Sequence, residues 1–282
     1  MASSAPTQAA PLPSALLSYA APEDPWVKKA MIRLLELSTG QPRLKRIYEA
    51  YQRAVVRGSF WEEALTRLEV GMVYNPEQLA AVPADGPLVM VANHPFGVLD
   101  GIIMGYLASQ VREEFKILTN SVMCHAEEIQ PHILPIDFAE TRAALQTNLA
   151  TRKRALATLE NGGTIVVFPG GTVSTASSWF GAAEDPEWKT FTARLIMQQQ
   201  ATVLPVYFQG QNSRIFQIAS QMSMTLRLGL LIGEVRNKIG STIRFHIGRP
   251  LPYDELAAMR NRVVLMDWLR THTYALARHV QA

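Results

Sequence analysis

Hydrophobic positions along this chain follow two alternating rhythms. From residue 87 onward, short apolar runs bounded by Gly, Pro and Asn recur between longer stretches of helical spacing. The runs at 88–92, 115–119, 133–136, 164–168, 202–208 and 242–247 predict strands. The stretches at 99–112, 141–160, 187–199, 213–222 and 226–238, and a last one beginning near Tyr253, predict helices. Asn161-Gly162-Gly163 is a helix stop directly before a strand. Apolar strands alternating with helices predict an α/β fold, a mainly parallel mixed sheet flanked by helices.

Ahead of that region the pattern is helical. Trp26, Met31, Leu34, Leu35 and Leu37 give an apolar face with Lys28, Lys29 and Arg33 nearby. After a break at Gly40-Gln41-Pro42, Leu44, Ile47, Tyr48 and Tyr51 continue among Arg43, Lys45, Arg46 and Arg53. Two readings stand: ordinary helices packing on a core, or a basic, aromatic-bearing lobe resting on a membrane surface. The Ala-, Ser- and Pro-rich start lacks a basic segment and a long apolar core, so it reads as a disordered tail and not a signal peptide. The expected organisation is a tail at 1–24, a helical membrane-proximal region at 25–70 and an α/β domain at 71–282.

Composition narrows the function classes. With 48% hydrophobic residues in 282, the chain can bury a sizeable core. A net charge of +3 suits an anionic membrane surface and is a weak nucleic-acid signal, so no nucleic-acid partner is expected. No run of 18 apolar residues occurs, so no spanning helix is expected. The single cysteine, Cys124, excludes a disulfide within the chain, fits a reducing compartment and reads as a packed thiol. The histidines lack zinc-site spacing, and no metal is expected.

Two strand ends carry unusual loops. Leu88-Val89-Met90-Val91-Ala92 leads into Asn93-His94-Pro95-Phe96-Gly97-Val98-Leu99-Asp100. A neutral imidazole takes a proton from a hydroxyl, and a carboxylate at its other nitrogen fixes the tautomer. Pro95 and Gly97 permit a bend that brings His94 and Asp100 together, although an aspartate here also suits a plain helix cap. Ile165-Val166-Val167 leads into Phe168-Pro169-Gly170-Gly171-Thr172-Val173-Ser174, where unobstructed N–H groups at the two glycines suit an oxyanion or a phosphate oxygen. In open α/β sheets sites form at the carboxyl ends of strands, so the loops are expected to meet. No Gly-x-Ser-x-Gly, phosphate-binding Gly-x-x-x-x-Gly-Lys or Gly-x-Gly-x-x-Gly motif accompanies them.

This order of loops, followed by Val203-Leu204-Pro205-Val206, resembles the glycerolipid acyltransferase family, and within it the bacterial lysophospholipid acyltransferase-like branch that carries Asn-His-Pro-x-Gly-x-x-Asp-Gly. Lys116-Ile117-Leu118-Thr119-Asn120, Leu134-Pro135-Ile136-Asp137, Gly210-Gln211-Asn212-Ser213 and Ile247-Gly248-Arg249-Pro250 support it. The resemblance implies transfer of a fatty acyl group from acyl-CoA or acyl carrier protein to a lysolipid hydroxyl, without a cofactor. His94 would be the general base and Asp100 its orienting partner. Asn93, Gly97, Lys116, Asn120, Phe168, Pro169, Gly170, Gly171, Thr172, Ser174, Asn212 and Arg214 would bind substrate. Contact with a membrane would be peripheral, on its cytoplasmic face, with Trp179-Phe180-Gly181 a candidate interfacial element.

Three departures qualify the match. Five residues separate His94 from Asp100 where four are usual, so the loop must bulge, most naturally at Gly97. The usual Phe-Pro-Glu-Gly-Thr-Arg-Ser has Gly170 for its acid and Val173 for its arginine. That arginine suits a phosphate, so lysophosphatidic acid becomes a poor fit. Lys116, Arg142 or Arg214 would have to substitute, or the acceptor carries no phosphomonoester, as in an amino-acid lipid with a free hydroxyl. A lipid-binding protein that has lost activity and an acyl thioesterase are the competing readings.

Overall fold

The computed structural model describes residues 25–54, 58–120, 127–137, 141–178 and 180–280. The expected tail, Cys124 and Trp179 lie outside them. The chain opens with three helices, α1 (Trp26–Thr39), α2 (Gln41–Arg53) and α3 (Phe60–Arg67). A short strand β1 (Gly71–Val73) and helix α4 (Pro76–Ala80) follow. Strands and helices then alternate as β2 (Leu88–Ala92), α5 (Val98–Val111), β3 (Phe115–Asn120), β4 (Ile133–Ile136), α6 (Arg142–Glu160) and β5 (Thr164–Val167). A hairpin of β6 (Thr175–Ala176) and β7 (Ala183–Glu184) precedes α7 (Thr190–Gln199) and β8 (Thr202–Phe208). The chain continues through α8 (Arg214–Met222), α9 (Met224–Asn237), β9 (Thr242–Ile247), α10 (Tyr253–Leu256) and α11 (Arg262–Ala275).

Local sequence sets the helix starts. Ser59, Thr141 and Ser213 each accept a backbone N–H of the first turn of α3, α6 and α8. Asn261 caps Val263 and Val264, which splits the expected last helix into α10 and a restarted α11. Helix α7 starts at Thr190 instead of near 187 because the preceding residues are held elsewhere: Trp188 is buried and Lys189 N–H donates to the Pro169 carbonyl.

All six expected strands form, joined by β1 at one edge. The seven-stranded order is β1-β9-β8-β2-β5-β3-β4. Neighbours pair in parallel except β8 and β9, where Phe208 faces Phe245 and Val206 faces Ile247. Strand β2 is buried along its whole length, and its alternation divides the core. Leu88, Met90 and Ala92 face α3, α5 and α9, with Trp61, Ile103 and Ile232. Val89 and Val91 face α6, α7 and α11, with Leu159, Ile196 and Leu269. Each such fully buried side chain contributes about 1.5–3 kcal/mol. The N-terminal helices are part of this arrangement: Leu44, Trp61 and Leu65 belong to the first layer, and α1 packs on α9.

The order β8-β2-β5 fixes where a site can form. The carboxyl ends of these adjacent strands run into the loops at 93–97, 168–174 and 209–213, so segments more than 100 residues apart in sequence meet at one edge.

Candidate active site

The first loop folds back on itself through one carboxylate. Gly97 adopts φ +74°, a conformation side chains disfavour, and this turn starts α5 with Asp100 in its first turn. Asp100 Oδ2 accepts the backbone N–H of Phe96 at 2.8 Å and of Gly97 at 3.0 Å. The same oxygen lies 3.1 Å from His94 Nδ1. Asp100 is therefore both helix cap and imidazole partner, and the two sequence readings of this residue coexist. Its side chain is fully buried, whereas that of His94 keeps 17% exposure, so only the imidazole is open to a substrate. Burial pushes the Asp100 carboxyl above its ordinary pKa, opposed by His94 and by the two N–H donors. A carboxylate Oδ2 can only accept here, which makes Nδ1 the donating ring nitrogen and leaves Nε2 as the one not engaged with Asp100.

The second loop supports this pair. The Phe168 ring stacks on the His94 ring with centroids 4.0 Å apart. Ser174 N–H donates to the His94 carbonyl at 2.8 Å. Asp185, just after β7, holds the loops together. Its Oδ1 accepts the His94 backbone N–H at 3.1 Å and the Ser174 hydroxyl, and its Oδ2 accepts Trp188 Nε1–H at 2.9 Å. A Cβ on Gly170 would lie 3.2 Å from Asp185 Cβ and 3.3 Å from its Cγ. The space that an acidic side chain at 170 would enter is thus occupied by a carboxylate from another segment.

The acyltransferase family model matches residues 43–282, which includes all but the first two residues of α2 and every element after it. The chain belongs to this acyltransferase family. It is 27% identical over 209 residues to a lyso-glycine lipid O-acyltransferase of Phocaeicola vulgatus, covering 70% of this chain and 71% of that one. A lyso-glycine lipid O-acyltransferase of Bacteroides thetaiotaomicron is 24% identical over 203 residues, 69% of this chain and 72% of that one. Among solved structures, the 1-acyl-sn-glycerophosphate (LPA) acyltransferase PlsC from Thermotoga maritima aligns with a TM-score of 0.49 and 16% identity, over 89% of this chain and 98% of that one.

The remaining expected site residues of the acyltransferase divide into groups. Phe168 and Ser174 meet His94 directly, Gly97 shares the Asp100 oxygen with it, and Pro169, Gly170, Gly171 and Thr172 lie between Phe168 and Ser174 in the second loop. Asn93 lies beside them but is buried, its amide bonded to both the N–H (2.7 Å) and the carbonyl (2.9 Å) of Phe208, so it ties the ends of β2 and β8. Asn212, in the third loop, is buried with neither amide end bonded among the described residues. Arg214 opens α8 and donates to the Gly181 carbonyl at 2.7 Å. Asn120 ends β3, paired with Ile136. Lys116 is not brought to the loops: it sits toward the other end of β3, paired with Glu114. Arg142 stands exposed at the start of α6. Among the described residues no cluster of metal-ligating side chains occurs, and no helix is long and apolar enough to cross a membrane.

Sequence reasoning missed two residues, Asp185 and Arg227. Arg227 Nη2 donates from α9 to the Val173 carbonyl. Glu184-Asp185-Pro186 carries a turn signal and nothing more, and Arg227 is one cation in a helical pattern.

Proposed function

We propose that the chain transfers a fatty acyl group from a thioester, acyl-CoA or acyl carrier protein, to the hydroxyl of a lysolipid, with a lyso-amino-acid lipid favoured over lysophosphatidic acid. The observation that carries this reading is the His94–Asp100 pair at 3.1 Å, with the carboxylate buried and the imidazole reachable. His94 Nε2 takes the acceptor's hydroxyl proton as the oxygen attacks the thioester carbonyl. The C–O bond forms and the carbonyl oxygen takes the negative charge; of the two expected glycine donors, the Gly171 N–H is already given to the Phe168 carbonyl at 2.9 Å, so the Gly170 N–H is the proposed donor to it. Collapse breaks the C–S bond, and the imidazolium returns its proton to the departing thiolate. Asp100 holds the Nδ1–H and stabilises the imidazolium between the two steps.

The acceptor preference rests on two supports. Residues 168–174 carry no charged side chain for a phosphomonoester. Both curated relatives are named for a glycine lipid. Peripheral membrane contact is part of the same reading. Trp26 and Leu34 on α1 are 78% and 69% exposed, Ile215 and Met222 on α8 are each 71% exposed, and Phe180 is 83% exposed. Both helices pack on α9. Large apolar side chains left this open favour a lipid interface.

The test is acyl transfer by purified protein, read by mass spectrometry. Each thioester donor is offered with lysophosphatidic acid, other lysophospholipids and a lyso-amino-acid lipid, with His94→Ala in parallel. A diacyl product from the wild type that the variant fails to make is the expected result. Free fatty acid released without any acceptor would replace this reading with a thioesterase, and no product from any pair would overturn it.

A further inference from the structure

The uncharged second loop obtains its carboxylate from Asp185, and the cation it lacks has a counterpart as well. Arg227 lies in the first half of α9, and Nη2 reaches the carbonyl of Val173, the residue that stands where the loop would carry an arginine. One turn further along α9, Leu231 packs with Val173 and Phe216. A Cβ on Gly97 would lie 3.2 Å from Val173 Cγ2 and 3.3 Å from Leu231 Cδ2. This face of α9 therefore adjoins both loops, and Arg227 touches the residue next to Ser174, whose N–H holds the His94 carbonyl.

A guanidinium carries five N–H donors, of which this one uses a single group on a backbone carbonyl. No carboxylate pairs with it among the described residues. Burial pulls its pKa below the ordinary value, the direction expected of a cation held out of water without a counter-ion. Leaving a half-buried guanidinium so placed is costly unless an anion completes it. An anion from outside the fold can complete it.

We propose that Arg227 is the anchor for a carboxylate on the acceptor's headgroup, and so sets acceptor specificity; this rests on the lyso-amino-acid reading above. One guanidinium offers a single positive charge and a planar two-pronged fork, which match a carboxylate in both charge and geometry. An amino acid joined to a fatty chain through its amine keeps that carboxylate. Held at Arg227, the acceptor lies along the second loop with its chain directed toward the histidine. Removing a charged hydrogen-bonding partner of this kind is expected to weaken binding roughly 10- to 100-fold.

The experiment separates this anchor from the chemistry. Binding of N-acylglycine and of the matching N-acylglycinamide, neither bearing a hydroxyl to react, is measured by calorimetry in mixed micelles for wild type, Arg227→Gln, Arg227→Lys and His94→Ala. Thermal melts run in parallel. The wild type and His94→Ala are expected to prefer the carboxylate roughly 10- to 100-fold. Arg227→Gln loses the preference, and Arg227→Lys, which keeps a cation without the fork, retains part of it. A preference unchanged in Arg227→Gln, or absent from the wild type, overturns the proposal. Turnover of a hydroxyacyl-glycine and its glycinamide is then compared. Binding preference without turnover would sink the transferase reading and leave the anchor standing. Turnover with equal use of both headgroups would do the reverse.

Discussion

Residues 94 to 100 hold both His94 and Asp100 within one turn of chain, while residues 168 to 174 contribute no charge of their own to the same site. The first loop closes through a single carboxylate oxygen that satisfies His94, Phe96 and Gly97 together. The second is completed from outside: Asp185 reaches it from beyond β7 and Arg227 from α9. A self-contained loop keeps its geometry as long as its own turn holds. A distributed one depends on the packing of three elements, each of which must stay in place for the loop to keep its partners. A motif without its charged residues therefore need not leave the site empty of charge.

The largest expected effect tests the self-contained side. His94→Ala should lower acyl transfer by about 10²–10⁴-fold and should also lower the melting temperature modestly, because the ring stacks on Phe168 and partners the buried Asp100 carboxylate. Steady-state kinetics and a thermal melt decide this, and a fully active variant would remove the first loop from the chemistry. Asp100→Ala should lose activity on a similar scale and stability besides. It strips the acceptor from two buried backbone N–H groups, at about 1–3 kcal/mol each.

The distributed side breaks differently. Asp185→Asn turns an amide N–H toward Trp188 Nε1–H if its oxygen stays on His94 and Ser174, so one buried donor goes unpaired. A loss of about 1–3 kcal/mol in chemical denaturation is expected, with activity reduced by misplacement of His94. Restoring an acid with Gly170→Glu should also destabilise, by about 1–3 kcal/mol, because its Cβ and charge meet Asp185. In the double variant with Asp185→Ala the penalties should fall well short of additive. Strict additivity would mean that Asp185 and residue 170 do not share one space, and the comparison would fail.

The smallest effect belongs to neither loop and serves as a control. Burial lowers the His132 imidazole below its ordinary value of 6.5. The unfolded chain then binds a proton at pH values where the folded chain does not. Stability is therefore full above about pH 6.5 and declines as the pH falls toward the folded value. Burial lowers His272 in the same sense. His132→Gln should flatten part of this slope, read as denaturation midpoints across pH, without changing acyl transfer near neutrality.

Much of the scaffold was legible because its signals are local. The six longer strands are apolar runs or, in β9, an apolar–polar alternation, and caps such as Thr141 and Ser213 announce their helices. Strand β1 was not legible: three residues of mixed exposure carry no period, and only pairing with β9 makes them a strand. The restart of α11 was hidden because apolar spacing continues across a break that one asparagine side chain creates. In the site, the His94–Asp100 pair could be read from a spacing and a turn. Asn93 looked like a substrate ligand because it precedes the histidine, yet both ends of its amide are taken by Phe208, 115 residues away.

The sequence by itself determined the alternation of strands and helices, the division of β2 between two faces, and a histidine and aspartate joined by a glycine turn. These follow from side-chain period and backbone conformation, which act over a few residues. The tertiary structure alone decided that β8, β2 and β5 lie side by side, that Asp185 fills the space beside Gly170, and that Arg227 meets Val173. Hydrogen bonds and excluded volume act across a few ångströms regardless of separation along the chain. Only folding sets which distant segments come that close.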